Sequence, residues 1–285
     1  MTFNYRNAFS RTVGWITPEE QDLLRGSRVA IGGMGGVGGA HVITLARLGV
    51  GKLNLSDFDE FAEENFNRQA GASISTIGRK KMEVMAEKAL DINPEMEIGM
   101  FPEGVNESNV DAFLEGVDAY VDGLDFFALS ARKLVFRKCY EKGIPVTTVA
   151  PLGTGAALLN FLPGEMDYES YFRFEGVSEQ EQYLRFLLGL SPAMLQMRYL
   201  IFPSAVNLQE RKGPSTPMAC EICAGIAATQ VLKILTGRGD VICAPRGLHF
   251  DPFLNVMKTS CLPKGNRGFL PQLKLRVAKK RLGIA

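Results

Sequence analysis

Asp57, Asp59, Asn65, Arg68, Gln69, Lys81 and Asp125 follow a glycine-rich loop, Gly33-Met34-Gly35-Gly36-Val37-Gly38, at intervals that suit phosphate chemistry. Glycines let a strand-to-helix turn form with positive φ and let backbone N–H groups approach phosphate oxygens. The start of the following helix adds free N–H groups and the positive end of a dipole. Asp57 stands 24 residues after Gly33, where a carboxylate accepts hydrogen bonds from ribose hydroxyls. Dehydrogenases and ATP-binding proteins share that much. Arg68 separates them: a guanidinium grips phosphate oxygens with two hydrogen bonds, and Asn65 and Gln69 add neutral donors. Lys81, 13 residues after Arg68, is suited to neutralising a leaving pyrophosphate. Asp125 is suited to Mg²⁺, which takes one or two carboxylates and completes its shell with phosphates and water. Each residue also has a plainer reading. Gly33–Gly38 can be a bare turn, and Asp57 a solubilising acid. Arg68 and Lys81 can pair with Glu60, Glu63 or Glu83 at little gain, and Asp125 can cap a helix that starts at Phe127.

The elements that must hold these residues alternate. Residues 1–27 read as a helical N-terminal arm, with Thr17-Pro18-Glu19-Glu20 as a helix start. Strands are expected at 28–33, 52–59, 96–101, 119–123 and 144–151. Helices are expected at 38–48, 78–90, 107–114 and 127–142. Such alternation argues for an α/β fold, a Rossmann-like, doubly wound and mostly parallel sheet that binds ligands at the carboxyl ends of its strands. The nucleotide-binding core is placed at 28–162. The remainder, 163–285, is read as an irregular C-terminal substrate-binding part of the same domain. A strand at 156–162 is weaker, 163–216 is irregular, and Thr216-Pro217 opens a helix to about Leu235. Strands near 248–250 and 255–258 follow. Lys274 to Arg281 carry five basic residues and no acid, read as a solvated terminus.

The spacing resembles that of the ThiF/MoeB/HesA family of E1-like enzymes. The match is G-x-G-G-x-G at Gly33, Gly35, Gly36 and Gly38, D-x-D at Asp57 and Asp59, N-x-x-R-Q at Asn65, Arg68 and Gln69, then Lys81, then D-x-x-D at Asp122 and Asp125. It is specific across 28–126 and weaker at "AATQVLKILTG", Ala227–Gly237. The resemblance implies an adenylyltransferase that activates the C-terminal carboxylate of a small ubiquitin-like or sulfur-carrier protein or a peptide, with ATP and Mg²⁺. Asp57 would bind ribose, Asn65, Arg68 and Lys81 the triphosphate, and Asp125 the metal. It also implies a homodimer in which an arm arginine, Arg11 or failing that Arg6, reaches the partner's ATP site.

The chain departs from that pattern in three places. Relatives often bind a structural zinc through two Cys-x-x-Cys pairs, but here only Cys220 and Cys223 make one, and four ligands are needed; no structural zinc is expected. The transfer cysteine of some relatives falls near Gln209 or Arg211. Cys220, in the first turn of the late helix where a thiol pKa can be lowered, is a candidate nucleophile or a small buried packing residue. Phe126-Phe127 follow Asp125 where relatives often have Asn and a small residue, and Arg132 is offset.

The whole composition is neutral on partners. Charged residues are 22% and the net charge is +1, which implies no global pull toward nucleic acid or membrane. Five scattered cysteines fit a reducing cytosol. Residues 1–26 do not read as a signal peptide, and Tyr183–Phe202, interrupted by Arg185, Pro192 and Arg198, reads as a buried helix pair. The expectation is therefore a cytoplasmic, homodimeric adenylyltransferase. The alternatives are activation of a carboxylate on a modified tRNA, a nicotinamide- or flavin-linked oxidoreductase that leaves Arg68, Lys81 and Asp125 without a role, or a non-catalytic binding subunit.

Overall fold

The computed structural model describes residues 2–208 and 210–282. Eight strands form one sheet: β1 (Arg28–Gly32), β2 (Lys52–Ser56), β3 (Glu97–Phe101), β4 (Ala119–Asp122), β5 (Val146–Leu152), β6 (Gly155–Phe161), β7 (Arg246–Asp251) and β8 (Val256–Cys261). Their order is β3-β2-β1-β4-β5-β6-β7-β8. The first five are parallel, and β6, β7 and β8 are joined to them antiparallel. The helices are α1 (Tyr5–Ala8), α2 (Pro18–Gly26), α3 (Gly36–Leu48), α4 (Lys81–Ile92), α5 (Val110–Phe113), α6 (Leu129–Lys142), α7 (Tyr168–Phe172), α8 (Glu179–Leu190), α9 (Pro217–Thr236) and α10 (Phe269–Leu282).

Strand alternation sorts side chains onto two faces. Val29 and Ile31 join a core cluster with residues of α3, α4 and α9, whereas Ala30 between them joins a second cluster with residues of α5 to α8. The second layer is rich in aromatic rings, such as Phe136 against Tyr168 and Phe172 stacked on Phe174. Burying such rings removes 150–250 Å² each, to a rough figure, from water. The α2 start is a capping box: Thr17 Oγ1 accepts from the Glu20 amide and Glu20 Oε2 from the Thr17 amide.

Register decides where the chemistry lies. Gly32 pairs with Ser56 on one side and with Asp122 on the other. The glycine loop, Asp57 and the Asp125 turn therefore leave the sheet at the same edge, the carboxyl ends of β1, β2 and β4.

Several expected elements shift. The second strand ends at Ser56, because Asp57 turns back to the glycine loop. The helix expected at 78–90 starts at Lys81, after Gly78 takes a left-handed φ of 75°. The helix pair expected at 183–202 is one helix, α8, followed by short 3-10 turns, with Ile201 and Phe202 exposed. The basic tail keeps Lys274, Arg276 and Lys280 exposed but is helical and docked. It folds as α10, buries Leu275 beside Leu184 and Leu188, and pairs Lys279 with Glu181 at 2.8 Å. Among the described residues, α9 alone is long and apolar enough to cross a membrane. Its Cys223, Ala227 and Val231 lie in the first core cluster.

Candidate nucleotide site

The loop after β1 is shaped by steric need. Gly33 has φ of 86°, and a Cβ on Gly38 would overlap the Gly33 carbonyl oxygen. Helix α3 is thereby pressed against the loop. None of the Gly36, Val37 and Gly38 amides has a hydrogen-bond partner among the described residues, as first-turn amides of a helix have none within it. These groups form a cradle for an anion. Gly38→Ala is expected to cost about 2–3 kcal/mol, since the added methyl meets backbone that cannot repack. A denaturant melt beside the parent checks this, and an unchanged midpoint would refute the account.

Asp57 closes the loop from the other side. Its Oδ2 accepts from the Met34 amide at 2.6 Å and its Oδ1 from the Asp59 amide at 2.7 Å. Burial raises its pKa, and the two amide bonds oppose that. Each carboxylate oxygen keeps a lone pair for a further donor, as ribose binding requires. Asp59 accepts from Lys81 Nζ at 3.1 Å, and Lys81 is only 6% exposed. Lys81 thus pairs with Asp59, not with Glu60 or Glu83; the Glu60 partner is Lys80.

The turn from Asn65 to Gln69 supplies the rest. Asn65 is buried and its Oδ1 accepts from the Ala62 amide at 3.0 Å, which leaves the Nδ2 donors. Arg68 makes no ion pair among the described residues. Its Nη1 donates to the Glu64 carbonyl at 3.0 Å and to Asn67 Oδ1 at 2.8 Å, and among the described residues Nε and Nη2 have no partner. Gln69 is buried, its Oε1 has no partner among the described residues, and its Nε2 donor lies 4.0 Å from where a Gly35 Cβ would stand. That donor faces the glycine loop, while Oε1 is left to accept from a ligand that brings a donor.

Asp122 and Asp125 do not act as a pair. Asp122 is buried, bonded to Arg132 Nε at 2.8 Å and Thr148 Oγ1 at 2.8 Å. Arg132 also donates to the carbonyls of Leu124 at 2.6 Å and Asp125 at 3.0 Å, so it shapes the loop from beneath. Nothing in the spacing foretold this; the ten-residue separation becomes a contact only when α6 packs under β4. Asp125 is exposed, and its Oδ1 accepts from the Phe127 amide at 2.9 Å. The helix itself starts at Leu129. One free carboxylate oxygen suits Mg²⁺ held mainly by phosphates and water. Among the described residues no group of three His, Cys, Asp or Glu could hold a metal alone.

Cys220 and Arg11 are the remaining residues singled out in the sequence. Cys220 lies in the first turn of α9, but burial raises its thiol pKa and outweighs the lowering from Ser215 and Arg68. Its Sγ would stand 2.9 Å from a Cβ on Gly36, beside the Arg68 stem. It fills space at the phosphate loop with a thiol that stays protonated. Arg11 is exposed, in a 3-10 turn next to Phe9, which packs at Gly49 beyond the far end of α3. The 13 residues of α3 span roughly 20 Å, so Arg11 is not brought to this chain's own loop. Of the positions near the transfer cysteine of some relatives, Gln209 lies outside the described residues, and Arg211 pairs with Glu179 at 3.1 Å.

The chain is similar to several known proteins. The tRNA threonylcarbamoyladenosine dehydratase of Haemophilus influenzae is 34% identical over 151 residues, 53% of this chain and 57% of its own length. The SAMP-activating enzyme E1 of Haloferax volcanii is 34% identical over 131 residues, 46% of this chain and 48% of its own. The chain spans about half the length of the curated relatives it matches. The crystal structure of Escherichia coli MccB superposes with a TM-score of 0.69 at 19% identity, covering 92% of this chain and 71% of that one, a likeness of fold. A family model described as the ThiF family matches residues 9–268, and on that span the chain belongs to the ThiF family.

Proposed function

We propose that the chain is an ATP- and Mg²⁺-dependent adenylyltransferase that activates a carboxylate. The observation that carries this is the meeting, at the glycine loop, of α3 amides and Arg68 nitrogens without partners among the described residues and of the Gln69 Nε2 donor. A dinucleotide cofactor would leave Arg68, Lys81 and Asp125 idle. In the proposed reaction a substrate carboxylate oxygen bonds to the α-phosphorus of ATP while the bond to the β-phosphate oxygen breaks. The products are an acyl adenylate and pyrophosphate. The α3 amides, Arg68 and Lys81 stabilise charge gathering on the phosphates. Asp57 holds the ribose, and Gly33, Gly35, Gly36 and Gly38 admit the backbone to the phosphates. Asp59 sets the Lys81 ammonium, and Asn65 and Gln69 complete the cradle. Asp125 would hold Mg²⁺, which when bound offsets phosphate charge. No thiol is needed for this step, and Cys220, protonated and enclosed, serves packing.

The substrate class we favour is the C-terminus of a small ubiquitin-like or sulfur-carrier protein or a peptide, in keeping with the relative named as an E1. A carboxylate on a modified tRNA is the second reading, favoured by the relative named as a tRNA dehydratase. The proposed assembly is a cytoplasmic homodimer in which Arg11 serves the partner's site.

ATP–pyrophosphate exchange tests the reading, with carrier proteins, peptides and modified tRNA offered in turn. Arg68→Ala is expected to lower exchange about 100-fold or more, the loss seen when one preorganised donor to developing charge is removed. Exchange undiminished in Arg68→Ala, or a parent that binds NADH but not ATP, would sink it.

A further inference from the structure

We infer that Asn67 is a positioning residue that sets Arg68 from the segment leading into α9. The inference rests on the nucleotide-binding reading of the site. Asn67 sits between two bonds with opposite polarity. Its Oδ1 accepts from Arg68 Nη1 at 2.8 Å, and its Nδ2 donates to the Ser215 carbonyl at 3.1 Å. The amide thus bridges the guanidinium to a chain segment far away in sequence. Cys220 closes the same junction, with its Sγ and the Arg68 Cγ both against Gly36.

The Ser215 end is itself anchored. Thr216 Oγ1 donates to the Gly153 carbonyl at 2.7 Å, in the turn between β5 and β6. The Thr154 amide donates to Tyr199 Oη at 2.9 Å, and Tyr199 Oη donates to the fully buried Asp251 at 2.7 Å. A line of hydrogen bonds therefore runs from Asp251 of β7 through Tyr199, the β5–β6 turn and Thr216 to Asn67. Arg68 is the end of that line. Its one fixed nitrogen is held by the Glu64 carbonyl and by Asn67, which leaves the rest of the fork aimed for a ligand. Without the amide, the long side chain regains rotamers that must be lost again when phosphate binds. Asn67 would not touch the nucleotide; it acts through Arg68.

Calorimetry with the α,β-methylene analogue of ATP and Mg²⁺ tests this on the full chain. Parent, Asn67→Ala, Arg68→Ala and the double variant are compared, with thermal melts alongside. Asn67→Ala is expected to weaken binding about 3- to 10-fold, the scale of one ordinary hydrogen bond, since this one is exposed to solvent. In the Arg68→Ala background it is expected to add less than about twofold, because contacting residues are not additive. A purely structural role predicts the same loss in both backgrounds, and that result overturns the inference. So does an Asn67→Ala protein that binds as the parent does. Should Asn67→Ala melt early, Asn67→Ser supplies the same cycle with a small polar side chain. A parent that binds no analogue overturns the nucleotide reading and this inference together, whereas weakened binding in Arg68→Ala alone overturns only the inference.

Discussion

Replacing Arg132 by Leu is expected to destabilise the protein by about 3–5 kcal/mol at neutral pH, the usual loss when one partner of a buried ion pair is removed. Arg132 and Asp122 are 2% and 4% exposed, so water cannot take over the missing bonds. Burial opposes the Arg132 charge, and Asp122, with Tyr168 and Tyr120 nearby, more than compensates, which keeps the guanidinium firmly protonated. The Leu variant strands the Asp122 carboxylate with Thr148 and one backbone amide. It also frees the Leu124 and Asp125 carbonyls from their shared donor. Two readouts follow. Chemical denaturation should show the stability loss, and adding Asp122→Asn should recover part of it, because the stranded charge is gone. Calorimetry with ATP and Mg²⁺ should show weaker binding, because the turn that carries Asp125 loses its support. Equal stability of the Leu variant and the parent would contradict the pairing.

Acidification should destabilise the protein through His41. Both its ring nitrogens are buried with no partner among the described residues, and burial pushes its pKa from 6.5 down to about 3. Unfolding restores the ordinary value. Between those two values the unfolded chain binds a proton that the folded chain refuses, so stability rises with pH in that window. Stability is complete above about 6.5 and falls as pH drops toward 3. At about 1.4 kcal/mol per unit, the loss is about 2 kcal/mol by pH 5 and about 4–5 kcal/mol at the lower limit. His249, lowered by burial against the opposing pull of Asp251, adds to the same slope. His41→Leu should flatten most of the dependence. It should also stabilise the protein at pH 7.5 by about 1–3 kcal/mol, since an unpaired buried polar group is exchanged for an apolar one. Urea melts at pH 7.5 and pH 5 decide the matter; a pH slope that survives in His41→Leu would assign the effect elsewhere.

What the sequence disclosed, and what it hid, follows from the range of the forces involved. The loop glycines and the strands around them were legible because turn sterics and apolar runs are local. The α2 cap and the Pro217 start of α9 are local in the same sense. The Arg132–Asp122 pair was hidden because it forms only when α6 lies beneath β4. Cys220 kept two readings for a related reason: a helix start lowers a thiol pKa locally, while the burial that raises it and favours the packing reading comes from the fold, where Sγ meets the Gly36 position of α3. The basic tail misled because its charges dominate its composition, whereas one buried leucine and one pair to Glu181 fix it on α8. Residues 163–216 were legible only in part: the helical reading near 183–202 catches the second half of α8, whereas α7 and the 3-10 turns are short and joined by bends.

The antiparallel end of the sheet has a consequence for how the chain is made. The parallel strands β1 to β5 and helix α3 leave the ribosome together, with the nucleotide loop already between them. Their outer layer is incomplete at that moment. The helix that covers α3, β5 and β6 is α9, and β7, which pairs Ala157 with His249, emerges later still. Apolar surface at Val149 and Leu158 stays open while the intervening segment is synthesised, and such surface invites aggregation. Any ligand that binds the glycine loop of the early half would stabilise it by mass action during that interval.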